Sequence, residues 1–276
     1  MSMITSQKIT SYYDRFKDVE ITFIKEIVKV TGLISNEVCL KCGSDFWPCI
    51  IYSVSFQYAK IVASIKTGLL KRLEEMNNTV NLRFCFKNPD GGNPITFSVI
   101  ARSIGVSPYG KSEDIMLFTL QFTQRPPDNL IEIIGRVLEA DFNATKRRDE
   151  RILLTADSQR KLNLLAKESA VFIESVPRHC IIRDISFSGV KLIMMGVAKF
   201  LLNKNAALRV DFDEPRESFL IKGTFIRSEM VEGRKDLVAL VIQFDEKLVP
   251  MGYKIRINEY LNQVRLDIVP DNATNA

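Results

Sequence analysis

Cys180–Ile193, with the sequence CIIRDISFSGVKLI, resembles an earlier segment of the same chain, and this repeat indicates the architecture. Cys49–Val62 reads CIIYSVSFQYAKIV, which is identical at six of the fourteen aligned positions and exchanges Val, Ile and Leu at three more. We call the separation of Cys49 from Cys180 the repeat offset. An internal repeat of this kind predicts two similar domains in tandem.

Three further pairs of segments repeat in the same order downstream, at separations that shrink slowly along the chain. They match Leu82–Phe86 with Leu208–Phe212, Ala101–Ser103 with Ile226–Ser228, and Leu117–Phe122 with Ala239–Phe244. Insertions and deletions in loops produce such a slow drift. Four matches in order therefore indicate that one domain was duplicated.

Each copy alternates apolar and polar residues with the period of a β-strand, as in Ile181–Phe187. Turn residues at 88–93 and 213–216 separate the strand segments, and apolar residues at helical spacing follow at Asn129–Glu139 and Tyr253–Leu261. The prediction is a mainly β fold with flanking helices, in which two tandem small antiparallel β-barrels each end in a C-terminal helix. Closure into barrels also removes exposed strand edges.

The predicted boundaries are 1–140 for an N-terminal domain, 141–152 for an interdomain linker, 153–266 for a C-terminal domain and 267–276 for a disordered tail. Asp141–Thr145 (DFNAT) is short and polar, and we interpret it as the end of the first domain. Ahead of the first copy, the spacing of apolar residues in Thr10–Val30 predicts at least one helix. Val19–Phe23 fits a strand equally well.

The composition is that of a folded globular chain, with 46% hydrophobic and 26% charged residues. No stretch approaches the roughly 18 apolar residues of a membrane span, and Met1–Lys8 lacks the pattern of a secretory signal. We therefore expect a cytoplasmic protein without membrane insertion. Its five cysteines are expected to be free thiols. Because Cys39 and Cys42 lack two matching zinc ligands, we expect no metal site.

The net charge of +5 is modest, but basic residues concentrate at Lys146, Arg147, Arg148 and Arg151 in the segment KRRDER. An isolated segment of this kind is usually a solvated linker. Whether the basic segment has a functional role therefore depends on the other residues of the second copy.

The two copies differ inside their best-matching block. The second copy contains Asp184-x-Ser186-x-x-Gly189 where the first contains Ser53–Tyr58, so the first copy lacks the carboxylate and the small residue. Thr10–Asp14, which we take as the equivalent of the basic segment, has no arginine. A site that needs a carboxylate, a hydroxyl, an open backbone and arginines can exist only in the second copy.

These residue types suit a small, anionic, guanine-bearing ligand. Asp184 and Ser186 are two apart on a predicted strand and therefore face the same way. A carboxylate matches the two donors of a guanine edge, and a glycine at Gly189 lets a ligand approach the backbone. The forked donors of Arg147 and Arg151 suit phosphate oxygens or the O6/N7 edge of guanine.

Arg147-x-x-x-Arg151 followed by Asp184-x-Ser186-x-x-Gly189 resembles the signature of PilZ domains, the bacterial receptors for cyclic di-GMP. The resemblance covers Lys146–Leu261, and the N-terminal copy then resembles a degenerate PilZ-like domain, as in the two-domain spirochaetal receptors of the PlzA type.

The resemblance implies a ligand-binding role for each residue of the signature. Arg147 and Arg151 would contact phosphates and guanine, and Asp184 and Ser186 would bind a guanine edge. Gly189 would allow close approach. Lys146 occupies a position that the family uses to favour one ligand molecule or a stacked pair.

The function implied is a cytoplasmic, non-enzymatic receptor that needs no cofactor beyond its ligand, cyclic di-GMP. The ligand would be clasped between the linker arginines and the C-terminal barrel, which would fix the interdomain orientation and change binding of an unidentified downstream protein. The family uses motility, envelope and gene-expression outputs. The alternative is an RNA- or single-stranded-DNA-binding protein that uses the basic linker and the barrel surfaces. An enzyme acting on the dinucleotide would need clustered carboxylates that the sequence lacks.

Overall fold

The computed structural model of the protein describes residues 5–89 and 91–268. Residues 269–276 of the predicted tail lie outside the described residues. The chain divides into two compact units, which we call unit 1 and unit 2; unit 1 ends at Glu139 and unit 2 begins at Ala140.

Unit 1 contains helices and seven strands in its described residues. In chain order these are α1 (Ser6–Phe16), β1 (Ile21–Thr22), α2 (Lys25–Thr31), β2 (Cys39–Cys42), β3 (Asp45–Val54), β4 (Tyr58–Ser64), α3 (Leu69–Glu75), β5 (Thr79–Phe86), β6 (Ile95–Pro108), β7 (Ile115–Phe122) and α4 (Asp128–Lys146), which continues into unit 2. The helix and the strand expected before the first copy are both present, as α1 and β1.

Six of these strands close into an antiparallel barrel. The order is β3-β2-β5-β6-β7-β4, and β4 pairs back with β3, while β1 adds to β3 from outside the barrel. Each barrel strand directs a buried aliphatic side chain inward: Leu40, Ile51, Ile61, Leu82, Val99 and Leu120. The alternation in the sequence places these residues on one face, which explains why the strands enclose a core.

Unit 2 repeats this arrangement. After the end of α4 it contains β8 (Ile152–Leu153), α5 (Ala156–Lys161), β9 (Glu168–Ile173), β10 (Val176–Ile185), β11 (Gly189–Met195), β12 (Asn205–Phe212), β13 (Glu217–Val231), β14 (Arg234–Phe244) and α6 (Met251–Ile268).

The second barrel has the strand order β10-β11-β14-β13-β12-β9 and closes by pairing of β9 with β10, while β8 adds to β10. Its strands contribute the buried residues Val171, Ile182, Leu192, Leu208, Ile221 and Leu240. The predicted fold class, two tandem small antiparallel barrels with C-terminal helices, is therefore confirmed.

The strand registers of the two units agree in detail. A register shift lies between Ile51 and Ser53 in β3 and between Ile182 and Asp184 in β10, at positions related by the repeat offset. One predicted match is wrong: the register pairs Ala101 with the last residue of β7 and Gly223 with the last residue of β14. Ala101 therefore corresponds to Gly223, and the match of Ala101–Ser103 to Ile226–Ser228 is out of register. A short motif with one shared Arg-Ser pair could not fix a register.

The interpretation of Asp141–Thr145 as part of a linker needs one correction, because α4 continues through these residues to Lys146. The Asn143 amide donates to Asn258 Oδ1 at 2.6 Å, and both side chains are buried. Lys254 Nζ donates to Asp141 at 2.8 Å. The polar side chains that suggested a linker are thus partners of α6, and only the residues after Lys146 leave the helix.

No helix in the described part of the chain has the length and apolar character needed to cross a membrane.

Candidate functional site

The motif Asp184-x-Ser186-x-x-Gly189 lies at the end of β10, in the turn that follows it and at the start of β11. Ser186 is therefore not on a strand, and the prediction that it shares a strand face with Asp184 is wrong. Its backbone amide donates to the Gly189 carbonyl at 2.9 Å, and the Gly189 amide donates to Ser186 Oγ at 3.1 Å. These reciprocal hydrogen bonds close the turn.

Ser186 is fully buried, and a tyrosine of α6 fixes the same turn through the backbone. The Tyr253 hydroxyl donates to the Ser186 carbonyl at 2.7 Å. Burial raises the pKa of Tyr253, so its hydroxyl remains a donor throughout the physiological pH range. The helix that ends the unit therefore holds the turn that carries the motif.

Gly189 is required by packing between strands. A Cβ atom at this position would lie 2.4 Å from the Ile242 carbonyl oxygen of β14, a distance that no side chain can occupy without backbone movement. The contact lies inside the barrel wall, where β11 and β14 pair. This requirement is independent of any ligand and adds a second reason for glycine at Gly189.

The structure brings Arg151 and Asp184 together. The Arg151 Nη1 donates to Asp184 Oδ1 in an ion pair in which the Asp184 side chain is only 15% exposed, against 42% for Arg151. β8 produces this contact, because Leu153 pairs with Asp184 and the Leu154 amide donates to the Arg183 carbonyl at 2.8 Å. The two halves of the sequence signature thus meet in one place.

This pair leaves capacity for further partners. A guanidinium carries five donors and a carboxylate two acceptor oxygens, and the ion pair uses Arg151 Nη1 and Asp184 Oδ1. An anionic group near Arg151 and a pair of donors near Asp184 are both compatible with it. The ion pair therefore holds Arg151 and Asp184 side by side, each with unused hydrogen-bonding atoms.

Lys146 and Arg147 lie at the end of α4. The Arg147 amide donates to the Asn143 carbonyl at 2.7 Å, which continues the helical hydrogen bonding by one residue. Lys146 is exposed, and its Nζ lies 5.7 Å from the centre of the Phe142 ring. Arg147 therefore begins the loop that ends at Arg151, which we call the arginine loop (147–151).

The sequence reasoning missed Asp149. The Ser188 hydroxyl donates to the Asp149 carboxylate at 2.9 Å and joins the arginine loop to the Ser186–Gly189 turn. A signal was available, since the repeat offset pairs Asp149 with Asp18.

The register also corrects the place of the equivalent segment in unit 1. β1 pairs with β3 as β8 pairs with β10. The repeat offset relates β1 to β8 and the paired residues of β3 to those of β10. The same offset places Phe16 and Glu20 opposite Arg147 and Arg151, so Thr10–Asp14 was the wrong segment to compare. Unit 1 lacks both arginines, as the sequence predicted.

Unit 1 retains the turn but fills the site differently. The Tyr58 amide donates to Ser55 Oγ at 3.1 Å, as the Gly189 amide does to Ser186. Glu20 accepts from the hydroxyls of Ser53 and Tyr58 and forms an ion pair with Lys60 at 3.0 Å. Unit 1 thus has a carboxylate where unit 2 has Arg151, while Lys60 has a lysine, Lys191, at its equivalent position in unit 2.

The pKa of Glu20 reflects this network. Burial by itself would raise the pKa, but hydrogen bonds from Ser53, Lys60 and Tyr58 and the charge of Lys60 outweigh burial, so the pKa of Glu20 lies below its usual value. Glu20 is therefore ionised at neutral pH, and its position carries a negative charge where unit 2 carries Arg151.

Comparisons with known proteins agree with this picture. Residues 7–141 match the family model of the PilZN3 domain. A curated protein of Treponema denticola, named a cyclic di-GMP binding protein, is 44% identical over 266 residues, which cover 96% of this chain and 85% of the relative.

Two solved structures show weaker similarity. The PlzA protein of Borreliella burgdorferi in complex with c-di-GMP is 23% identical, with a TM-score of 0.42 and coverage of 92% of this chain and 98% of that one. YcgR in complex with c-di-GMP from Escherichia coli is 11% identical, with a TM-score of 0.30 and coverage of 87% and 88%. At these TM-scores the similarity supports no further conclusion.

The signature of the second barrel and the degenerate first barrel define a tandem protein of the PilZ class. With the Treponema relative 44% identical and covering nearly the whole chain, the protein belongs to the family of that relative, and residues 7–141 are a PilZN3 domain. The predicted resemblance is therefore confirmed.

Proposed function

We propose that this protein is a cytoplasmic, non-enzymatic receptor for cyclic di-GMP. The observation that carries the proposal is the meeting of Arg151 with Asp184, beside the turn closed by Ser186 and Gly189. The name of the Treponema relative supports the same ligand. The free thiols of the five cysteines fit a reducing compartment.

In this proposal the arginines contact the phosphates and stack on guanine, and Asp184 accepts hydrogen bonds from a guanine edge. Ser186 is buried and bonded to Gly189, so its role is to shape the turn beside the ligand. Gly189 permits the strand packing that holds the turn. Lys146 is exposed at the end of α4, directly before the arginine loop, and adds positive charge near the phosphates.

The proposed output depends on the arginine loop as the connection between α4 and the second barrel. Residues 128–139 of α4 belong to unit 1 and residues 140–146 to unit 2, and the loop follows directly. A ligand that binds the clasped loop more tightly than other conformations would shift the population toward it. We propose that this restricts the orientation of the units and changes the surface offered to a downstream protein partner.

Calorimetric titration with cyclic di-GMP tests the receptor. We expect binding by the wild-type protein and at least tenfold weaker binding by Arg147→Ala and Asp184→Ala, because charge-assisted hydrogen bonds contribute roughly 1.5–3 kcal/mol each. Arg160→Ala is a matched control, since Arg160 is an exposed arginine of unit 2 paired with Asp157 in α5. Circular dichroism checks that each variant folds. Wild-type protein that is folded and free of nucleotide but does not bind would contradict the proposal.

A further inference from the structure

Three residues separate Arg147 from Arg151, and each makes a side-chain contact with the rest of unit 2. The contacts are Arg148 with Glu246, Asp149 with Ser188, and Glu150 with Arg265. The arginine loop is therefore attached to the barrel and α6 by the residues between its two arginines. These contacts hold the loop in place and so fix the positions of Arg147 and Arg151 at its two ends.

The three contacts differ in exposure. Arg148 and Glu246 have side chains that are 41% and 59% exposed, and the pair of Glu150 with Arg265 is similarly open to water. Ion pairs of this kind contribute little because water screens them. Asp149 is itself exposed, but its partner Ser188 is buried, so the Ser188 hydroxyl needs a hydrogen-bond partner and donates to Asp149 at 2.9 Å.

Ser188 also connects Asp149 to the turn that carries the site. Its Oγ lies 3.4 Å from Ser186 Oγ, which accepts from the Gly189 amide. The hydrogen bonds thus run from the arginine loop to the turn between β10 and β11. A displacement of Asp149 would move the loop relative to Asp184.

Unit 1 makes the same contact without the arginines. Asp18, which the repeat offset pairs with Asp149, accepts a hydrogen bond from the side-chain amide of Gln57, and Gln57 occupies the position of Ser188. Phe16 and Glu20 stand where the arginines of unit 2 are. The contact therefore belongs to placement of the loop on the barrel, since it persists in a copy that has no arginines to present.

The negative charge of Asp149 is compatible with placing the arginine loop on the barrel. It is not compatible with direct contact with an anionic ligand. A carboxylate aimed at phosphate would repel it. With its oxygen bonded to Ser188, the carboxylate instead faces the turn.

We propose that Asp149 is a positioning residue for the nucleotide site: its hydrogen bond with Ser188 holds the arginine loop on the turn so that Arg147 and Arg151 are placed before the ligand arrives. The inference rests on the proposed function for its ligand. Preorganisation of this kind increases affinity because the loop does not have to be ordered during the binding step.

The test is calorimetric titration of Asp149→Ala, Asp149→Asn, Ser188→Ala and the double variant Asp149→Ala/Ser188→Ala with cyclic di-GMP. We expect Asp149→Ala to weaken binding about tenfold, and Asp149→Asn to restore affinity to within about threefold, because the amide oxygen still accepts from Ser188. The double variant should bind no more weakly than the weaker single variant, as expected for two partners of one contact. Asp18→Ala removes the equivalent contact in unit 1 and should leave affinity unchanged.

Amide hydrogen exchange provides a readout that needs no nucleotide. We expect residues 147–151 to exchange faster in Asp149→Ala than in the wild type or Asp149→Asn. If wild-type protein fails to bind cyclic di-GMP, the proposed function fails. Independently of binding, an unchanged amide exchange rate of residues 147–151 in Asp149→Ala would refute the claim that Asp149 holds the loop. Equal or tighter binding by Asp149→Ala, or an Asp149→Asn variant as weak as Asp149→Ala, would overturn the positioning role.

Discussion

At the scale of single residues, the motif in unit 2 contains positions that packing explains and one that packing leaves unexplained. Ser186 bonds the Gly189 amide, and Ser55 does the same for Tyr58 in unit 1, where the binding residues are absent. The serine is therefore explained by the turn alone. Asp184 has no such explanation, because Ser53 takes its place in unit 1.

Gly189→Ala tests the packing role of the glycine apart from ligand. We expect the free energy of unfolding, measured by denaturant titration without nucleotide, to fall by about 1–3 kcal/mol, because the new methyl group must move the β14 backbone at Ile242. Gly105→Ala is the control, since its Cβ would meet Thr119 at an ordinary 3.8 Å. A Gly189→Ala variant as stable as the wild type would show that the strands can separate without cost.

At the scale of elements, the two-residue strand β8 brings the signature together. It adds to β10 outside the barrel, buries Ile152 and leaves Leu153 exposed, so one side chain anchors the strand. β1 has the same place beside β3 in unit 1. A short strand of this kind fixes Arg151 next to Asp184 through backbone pairing.

Ile152→Ala should therefore affect both stability and binding. We expect a loss of about 2–4 kcal/mol in the free energy of unfolding from the cavity, together with weaker cyclic di-GMP binding under conditions where the variant is folded. Ile173→Ala, a buried isoleucine of β9, should lose similar stability and keep its affinity. Equal affinity of the two variants for cyclic di-GMP would mean that β8 is not needed to hold Arg151 beside Asp184.

At the scale of the whole molecule, the duplicated barrels have diverged in charge at equivalent positions. Glu20 in unit 1 and Arg151 in unit 2 lie beside the same strand pairing, and Lys60 neutralises the first as Asp184 does the second. Unit 1 thus has no arginine to offer an anion at this position. We expect a single class of cyclic di-GMP sites, located in unit 2.

Salt dependence separates a nucleotide receptor from a nucleic-acid-binding protein. A ligand with two phosphates should give a log–log slope of apparent affinity against salt with a magnitude of about 2 or less, whereas a nucleic acid should give a slope that grows with the number of phosphates contacted. Titrations of cyclic di-GMP and of a single-stranded oligonucleotide at several salt concentrations measure both slopes. If the protein binds the oligonucleotide tightly with a steep slope and does not bind cyclic di-GMP, the result would favour a nucleic-acid-binding protein.

The duplication, the barrel class and the motif residues of the signature could all be predicted from the amino-acid sequence. This was possible because strand alternation and segments repeated in the same order are properties of the order of residues along the chain. The sequence also showed that the first copy lacks the aspartate and the glycine. It misplaced the match at Ala101–Ser103, because three residues contain too little information to fix a strand register.

The contacts between these residues, in contrast, became visible in the folded chain. The polar segment Asp141–Thr145 is helical because Asn143 and Asp141 have partners on α6, which lies far away along the chain. Likewise Arg151 reaches Asp184 through the pairing of β8 with β10, and Asp149 reaches Ser188 through the turn. Such partners are distant in sequence and depend on the closed barrel, so no local pattern of residues encodes them.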